Sequence, residues 1–359
     1  MKSFLFATFL IGVLGNLNAQ RTEFIITGKV LDQSTQLPLA GGSVFCQNTT
    51  IGTITNSEGN FTLRLPNGGY DLIVSYTGYE TFSQRINDEN ASSPLLIELK
   101  KQDKSLEEVA VVGSNEVADG WAKYGQFFLD NFIGTTPNAS SCKLENSDSL
   151  RFLYYKKRNK LKIQAKSDLV IVNNSLGYKI RYQLDSFVHE YSNGISTFSG
   201  YPLFEELNGT DSQKTVWNMN RAKAYNGSRM HFMRSWYDSS LTRQGFAIER
   251  LPDSMAIEGT LITNPFDSSF YHADSSDVEI DLKGRLRIIY RPETPDPQYL
   301  ALYKLSPHTR VQISVFEIAD VFIIEKNGYF YEQSDLVNLG YWAWEKLADA
   351  LPFDYSPPH

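Results

Sequence analysis

Short apolar segments, separated by turns that carry glycine or proline, run from residue 25 to residue 99. In the first segment Ile26, Gly28 and Val30 alternate with other positions, a period-two pattern typical of a strand with one buried face. Further along, Gly59 lies in a polar loop between two such segments, where glycine allows the positive φ of a hairpin turn. The pattern gives seven strands, and we predict a β-sandwich domain over residues 24–100.

Helical spacing replaces this alternation after residue 116. Trp121, Tyr124, Phe128 and Phe132 recur at intervals of three and four residues, which predicts an amphipathic helix that Gly134 ends. From residue 151 to residue 201 the chain alternates again, as expected for antiparallel strands with one solvated face. Residues 116–359 are therefore predicted to form a larger antiparallel-sheet α+β domain, so that the whole chain is mainly β with some α.

The rest of this second domain is predicted from turn and capping signals. One helix should start at Thr210 and run to about residue 237. Asn327-Gly328 is the strongest short hairpin signal in the chain. A last helix over residues 341–351 should bury its apolar side chains and stop at Pro352. Further strands are expected at residues 246–251, 278–290 about Lys283-Gly284, 311–316 and 321–325.

Three motifs of the first domain resemble the carboxypeptidase regulatory-like domain. They are the runs at residues 26–30 (ITGKV), 52–61 (GTITNSEGNF) and 72–79 (LIVSYTGY). The resemblance implies a transthyretin-like sandwich that acts as a scaffold and is not itself a peptidase. The segment also contains no histidine, whereas a metallopeptidase needs paired His and Glu ligands.

Residues 101–115 are predicted to be a linker that contains a strand. Residues 106–113 are similar to the segment that follows this domain in TonB-dependent outer-membrane receptors. Two interpretations stay open: the strand is added to the exposed sheet edge of a partner, or it connects the two domains as an edge strand. Roughly 240 residues follow, too few for a receptor barrel of ~22 strands with loops and a plug, so we do not expect a receptor.

Two stretches of the second domain resemble a family of exported Gram-negative (Bacteroidetes-type) proteins. In that family a carboxypeptidase regulatory-like domain precedes a domain of unknown function. The stretches are residues 177–182 with Phe187, and residues 200–207 followed by Trp217, Arg221, residues 224–225, 227–228 and 231–232. The resemblance brings no activity with it, so no residue is carried over as catalytic.

Basic residues are concentrated between residues 151 and 181, where nine Lys or Arg stand against the single acid Asp168. The candidate basic face consists of Lys156, Lys157, Lys160, Lys162 and Lys166. One hypothesis is that this face meets an anionic envelope polymer or lipid headgroups. The other is a solvated sheet face that is offset by carboxylates from another segment, for which the acid-rich residues 267–281 are a candidate.

A second candidate site lies on the predicted 210–237 helix. Arg221 shares an aromatic face with Tyr225, Ser228 and His231 nearby. A buried arginine needs a carboxylate or several carbonyl groups, so these residues indicate either a structural ion pair or an anion-binding site. The five histidines show no metal-ligand spacing, and neither a phosphate loop nor a G-x-S-x-G elbow is present. We therefore predict no metal, no cofactor and no catalytic residue.

The first nineteen residues are typical of a signal peptide, with Lys2, an apolar centre and a small-residue exit at Ala19. Export to the periplasm or to the outer membrane is expected, with no transmembrane segment after cleavage. A formal net charge of −7 argues against nucleic acid as a partner. Although an exported chain permits a disulfide, Cys46 and Cys142 are predicted to be free thiols because they lie in different domains.

Together these observations indicate a non-catalytic cell-envelope binding or scaffold protein, with an envelope protein or polysaccharide as its partner and membrane association left open. A hydrolase acting on an envelope polymer, with a site near Arg221 and His231, is one alternative. An accessory subunit of a TonB-dependent outer-membrane system, docked through residues 109–112, is the other.

Overall fold

The computed structural model describes residues 23–88, 94–102, 115–252, 258–274, 276–331 and 336–358. The predicted signal peptide and the predicted strand at residues 106–113 lie outside these residues. Within them the chain is mainly β, and no helix is both long and apolar enough to span a membrane.

Seven strands at the N-terminus form two sheets that share one core, which confirms the predicted sandwich. A three-stranded sheet has the order β4-β1-β7, and a four-stranded sheet has the order β3-β2-β5-β6. Ile26 and Leu63 from the first sheet pack with Val44 and Leu72 from the second. The strands are β1 Glu23–Asp32, β2 Ser43–Cys46, β3 Gly52–Ile54, β4 Asn60–Pro66, β5 Tyr70–Ser75, β6 Phe82–Ile86 and β7 Leu95–Leu99.

A six-stranded antiparallel sheet follows, covered by helix α1 (Gly120–Phe132). Its strands are β8 Cys142–Leu144, β9 Leu150–Tyr155, β10 Lys160–Ala165, β11 Leu169–Asn173, β12 Tyr178–Glu190 and β13 Ile195–Glu206. The long strand β12 pairs with β11 and β10 along one side and with β13 along the other. Leu161 and Ile163 face the core, as the alternation predicted, and Phe128 and Phe132 of α1 pack on them.

Two further sheets enclose a third core. One has the order β15-β14-β18-β19-β21, and the other has the order β16-β17-β20. Their strands are β14 Phe246–Leu251, β15 Thr260–Leu261, β16 Tyr271–Ala273, β17 Asp277–Ile280, β18 Gly284–Tyr290, β19 Gln312–Ile318, β20 Phe322–Glu325 and β21 Leu336–Gly340. The strands predicted on either side of Lys283-Gly284 do form, but they belong to different sheets, because Leu282 is buried between them and Gly284 takes a φ of +109°.

The single helix predicted over residues 210–237 is wrong, because the chain breaks it in two. Helix α2 (Asp211–Tyr225) starts at Thr210 as predicted, and the Thr210 and Gln213 side chains form a capping box. Gly227 takes a φ of +75°, which a continuous helix does not allow. Ser228 then caps helix α3 (Arg229–Tyr237) by accepting a hydrogen bond from the His231 amide.

The last predicted helix is also shorter than expected. After α4 (Pro297–Leu302), helix α5 covers only Tyr341–Trp344, and a 3₁₀ turn follows at Leu347–Asp349. Tertiary hydrogen bonds replace the helical ones here: the Ala348 amide donates to the Ile133 carbonyl, and Asn173 donates to the Ala348 carbonyl. The apolar side chains of this segment are nevertheless buried, as expected; they include Trp344, Leu347, Ala348 and Leu351.

The sandwich packs directly against the rest of the chain. Phe45 and Ile73 on its outer face form an apolar cluster with Leu203 of β13. The Asn48 amide donates to the Pro202 carbonyl at 2.8 Å, and the Phe353 amide donates to the Asn48 carbonyl at 2.6 Å. β13 and the C-terminal segment (residues 351–358) therefore both bind the turn that follows β2 and join the sandwich to the rest of the chain.

Candidate functional site

Arg221 is buried on α2, and its guanidinium contacts a carboxylate, two backbone carbonyls and a tyrosine ring. Its guanidinium forms a bidentate ion pair with Glu206, with N–O distances of 2.9 and 3.1 Å. It also donates to the carbonyls of Leu176 at 2.6 Å and Gly177 at 3.2 Å. The same group lies 3.9 Å from the ring centre of Tyr178. These contacts use the carboxylate and the carbonyl groups that a buried arginine requires.

His231 lies on the first turn of α3 and is 5% exposed. Its Nδ1 accepts a hydrogen bond from the Gly227 amide, and its Nε2 lies 3.3 Å from the Gln244 side-chain oxygen. Burial lowers the pKa of His231 to about 4, with Arg234 acting in the same direction. The ring is therefore neutral at physiological pH, and its Nε2 faces an amide rather than a carboxylate.

The structure brings three of the four candidates together. Tyr225 stacks on His231 with ring centres 4.7 Å apart, and Ser228 is the residue that caps the His231 helix. Arg221 instead contacts Glu206 and Tyr178. Among the described residues, no group of three or more His, Cys, Asp or Glu side chains is arranged to hold a metal ion.

Arg234, which the sequence analysis did not single out, has the most far-reaching contacts of this region. It lies on α3 and donates to three backbone carbonyls, those of Asn327, Phe353 and Tyr355, each at 2.9 Å. Its guanidinium also lies 5.6 Å from the ring centre of Tyr225. Because backbone carbonyls carry no sequence signature, nothing in the sequence pointed to this role.

The basic residues of segment 151–181 divide into two groups. Arg151 pairs with Glu116, Lys160 pairs with Glu190, and Lys179 and Arg181 both pair with Glu205. The other group makes no ion pair within the described residues and consists of Lys156, Lys157, Arg158, Lys162 and Lys166. The carboxylates that offset the first group lie beside it in the fold, so the suggestion that residues 267–281 supply them is wrong.

Four residues of the unpaired group, Lys156, Lys157, Arg158 and Lys162, lie around two adjoining openings in the surface. The first has a volume of about 790 Å³ and lies between the β9–β10 turn, the residues before α1, and α1 itself; its lining includes Lys123, Tyr124, Tyr154, Lys156 and Lys157. The second, of about 390 Å³, lies on the outer face of the sheet and is lined by Lys160, Lys162, Ser186 and Val188. Tyr155 and Arg158 line both openings, which together we call the basic cleft.

The basic cleft contains four of the five residues of the predicted basic face. Lys156 and Lys157 lie in a 3₁₀ turn after β9, and Lys160 and Lys162 lie on β10. Lys166 follows β10 and lines neither opening. The tyrosines and Lys123 of the cleft were not predicted, because they come from separate elements that only the fold brings together.

The two cysteines were predicted to be free thiols. Cys46 and Cys142 are both free, Cys46 within the sandwich core and Cys142 partly buried on β8. Burial raises the pKa of both thiols well above the ordinary value, so neither is a nucleophile at physiological pH.

Comparison with known proteins supports the N-terminal assignment. Residues 26–111 match the family model of the CarboxypepD_reg-like domain. A TonB-dependent receptor of Formosa agariphila is 33% identical over 112 residues, which is 31% of this chain and 10% of the receptor. The TonB-dependent receptor SusC of Bacteroides thetaiotaomicron is 30% identical over 118 residues, or 32% and 11%. The chain thus carries a CarboxypepD_reg-like domain at its N-terminus and spans about a tenth of these receptors.

Among solved structures, a 3-chlorocatechol 1,2-dioxygenase from Rhodococcus opacus matches 23% of this chain and 61% of its own, with 16% identity and a TM-score of 0.19. A catechol 1,2-dioxygenase from Acinetobacter matches 26% and 56%, with 12% identity and the same TM-score. At this TM-score neither likeness carries an argument about fold or chemistry.

Proposed function

We propose that this protein is a non-catalytic binding or scaffold protein of the cell envelope. The observation that carries the proposal is that the polar atoms of Arg221 and His231 already have partners within the protein. Arg221 is bonded to Glu206 and to backbone carbonyls, and His231 is bonded to the Gly227 amide and lies beside Gln244. A reaction centre needs groups that can meet a substrate, and these two are buried and already hydrogen-bonded. The outward-facing chemistry is instead the basic cleft.

The packed joint between the sandwich and the larger part supports a scaffold role. Asn327 of the turn after β20 donates to the Gly69 carbonyl at 2.9 Å, and the Tyr329 hydroxyl donates to Asp71 at 2.9 Å. These bonds add to those of β13 and the C-terminal segment, so the sandwich is fixed at several separate points. A support fixed in this way presents the larger part in one orientation.

The expected result of an activity test is binding without turnover. The purified protein should be retained by its own envelope polysaccharide fraction and should release no new reducing ends from it. His231→Gln should leave retention unchanged, as should the control His272→Gln at an exposed position. Release of sugar that His231→Gln abolishes and His272→Gln preserves would instead establish the hydrolase alternative.

An accessory role in a TonB-dependent outer-membrane system is the second candidate, and the two receptor relatives favour it. The predicted strand at residues 106–113 would be the docking element, adding itself to a sheet edge of the receptor. Deleting these residues should abolish co-purification with an outer-membrane receptor while the thermal midpoint of the protein stays within a few degrees. Replacing the same eight residues by a Gly/Ser linker of equal length is the control for lost tether length, and co-purification that survives both changes would exclude the docking role.

A further inference from the structure

We propose that the basic cleft binds an anionic polysaccharide, a chain of sugar rings that carry carboxylate or sulfate groups. The inference rests on the proposed binding function and names the class of ligand. The two openings share Tyr155 and Arg158, so they adjoin each other at the β9–β10 turn. An open surface that extends along a sheet and around its turn suits an elongated chain better than a compact small molecule.

The charge of the cleft comes from six cations: Lys123, Lys156, Lys157, Arg158, Lys160 and Lys162. Glu116 is the one carboxylate in the lining, and Arg151 already holds it through two hydrogen bonds. Lys160 pairs with Glu190 at 3.2 Å, and the other five cations have no ion pair within the described residues. Like charges that are gathered without partners repel one another and concentrate anions nearby.

The arrangement contrasts with that of the basic residues farther along the same segment. Lys179 and Arg181 both lie within ion-pair distance of Glu205 on the neighbouring strand, at 3.5 and 2.6 Å. Charges whose role is to solvate a sheet are readily paired across strands in this way. The cations of the β9–β10 turn are not, although the chain as a whole has more acidic than basic residues. Four of the five unpaired cations of segment 151–181 therefore line the cleft.

Three tyrosines make the cleft suitable for rings rather than for bare anions. Tyr124, Tyr154 and Tyr155 line the first opening. The Tyr154 hydroxyl donates to Asn159 at 2.7 Å, and the Tyr124 ring is stacked on Phe152 with centres 6.2 Å apart, so both rings are held in place. A tyrosine presents an apolar face together with a polar tip, which matches the C–H faces and hydroxyls of a sugar ring. Fixed aromatic rings also bind with little loss of conformational entropy.

Other anionic ligands fit the observations less well. An inorganic anion would be held by donors that converge on one point, whereas these cations are spread over two openings and are mostly exposed. A bilayer surface would meet a flat or convex face with protruding apolar side chains. Repeated carboxylate or sulfate groups on sugar rings satisfy both the spread of the cations and the tyrosines between them.

The test is a calorimetric titration of the purified protein with polygalacturonate, a polymer of uronic acid. Binding should weaken as salt rises from about 50 mM to about 500 mM, because the attraction is between exposed charges. Lys156→Ala/Lys157→Ala/Arg158→Ala should lose affinity at least about tenfold, and Tyr155→Ala about fivefold. The matched control Lys214→Ala/Arg243→Ala/Arg310→Ala removes the same charge from exposed positions elsewhere and should keep wild-type affinity.

Three outcomes would overturn the proposal. The first is an equal loss in the cleft variant and in the control variant, since that would reveal attraction to net charge alone. The second is equal binding of dextran, an uncharged polymer. The third is no binding of polygalacturonate or of dextran sulfate, with binding of phosphatidylglycerol vesicles that the cleft variant loses. If the protein still holds its native envelope fraction in that case, the ligand class is wrong while the proposed binding function stands.

Discussion

Arg234→Ala is expected to lower the free energy of unfolding by about 4 kcal/mol, because it removes three charge-assisted hydrogen bonds at once. The three acceptors are the carbonyls of Asn327, Phe353 and Tyr355, and each lies 2.9 Å from a different guanidinium nitrogen. A hydrogen bond to a charged group contributes about 1.5–3 kcal/mol, and the partial exposure of Arg234 reduces the sum. Urea unfolding followed by tryptophan fluorescence measures the difference.

The loss of the Arg234 hydrogen bonds should also destabilise the contact between the sandwich and the larger part of the chain, beyond α3. Arg234 fixes the C-terminal segment, and Asp354 in that segment accepts hydrogen bonds from both the amide and the hydroxyl of Thr50. In the variant, hydrogen exchange of the Thr50 amide should therefore accelerate together with that of Phe353, whose amide donates to Asn48. Amides of the sandwich core, such as that of Val44, should respond only through global unfolding.

Two further variants test the geometry of this contact. Arg234→Lys should recover less than half of the loss, since a lysine ammonium cannot reach three carbonyls that are arranged around a planar guanidinium. Arg243→Ala, at an exposed position six residues past α3, removes the same charge and should change the stability by less than about 0.5 kcal/mol. A stability of Arg234→Ala within 1 kcal/mol of wild type would mean that the C-terminal segment is held by its other contacts.

The sandwich was predictable because its signals are local. Alternation places Ile26 and Val30 on one face of β1, and Gly59 takes the positive φ that the turn before β4 requires. Helix α1 was predictable for the same reason, since the spacing of Phe128 and Phe132 marks its buried face and Gly134 its end. In these elements the local preference and the tertiary packing agree.

The errors lie where tertiary contacts override local preference. Residues 210–237 have helical spacing throughout, yet Gly227 lies so close to Tyr290 and Gln312 that a Cβ atom would contact them at 2.6 and 2.4 Å. The backbone bends there to fit β18 and β19, and Ser228 restarts the helix. At the C-terminus, hydrogen bonds to Ile133 and Asn173 replace the turns of the predicted helix. Neither set of partners is visible in the local sequence.

For the basic cleft, the sequence could predict the excess of basic residues but not the arrangement of their side chains. The excess of basic residues in segment 151–181 is plain in the sequence, but the division into paired and unpaired cations depends on cross-strand register. Glu190 pairs with Lys160 because β12 lies beside β10 in that register, and Glu205 reaches Lys179 because β13 lies beside β12. The cleft therefore became visible only when the register was known.

Glu325→Gln is expected to remove a fall in the free energy of unfolding that the wild type shows as pH rises toward 7. The reason is that Glu325 is buried where the sandwich meets the larger part. The side chain is 1% exposed and accepts a hydrogen bond from the Tyr331 hydroxyl at 2.5 Å. A Cβ atom on Gly69 would lie 2.5 Å from it, so the sandwich backbone covers this carboxyl. Burial raises the pKa of Glu325 to about 7, opposed by hydrogen bonds from Tyr331 and Asn87 and aided by Asp277 and Asp88.

The sign follows from the proton that the folded protein retains. Below the ordinary glutamate pKa of 4.5 the carboxyl is protonated in both states, so the wild type bears no penalty from Glu325. Between pH 4.5 and pH 7 the unfolded chain ionises while the folded protein does not, and stability falls as pH rises. Glutamine cannot ionise, so Glu325→Gln should gain up to about 3 kcal/mol relative to wild type across this window and stay level above it.

His231 acts in the opposite direction and offsets part of the slope that Glu325 gives the wild type. Its pKa is lowered from 6.5 to about 4, so the folded protein loses stability as pH falls through that range. The two contributions oppose each other between pH 4.5 and pH 6.5, and removing Glu325 leaves that of His231 uncompensated. Urea unfolding at intervals from pH 4 to pH 8 measures the curves, with Glu279→Gln at an exposed position on β17 as the matched change. Parallel curves for wild type and Glu325→Gln would show that folding leaves the pKa of the Glu325 carboxyl unchanged.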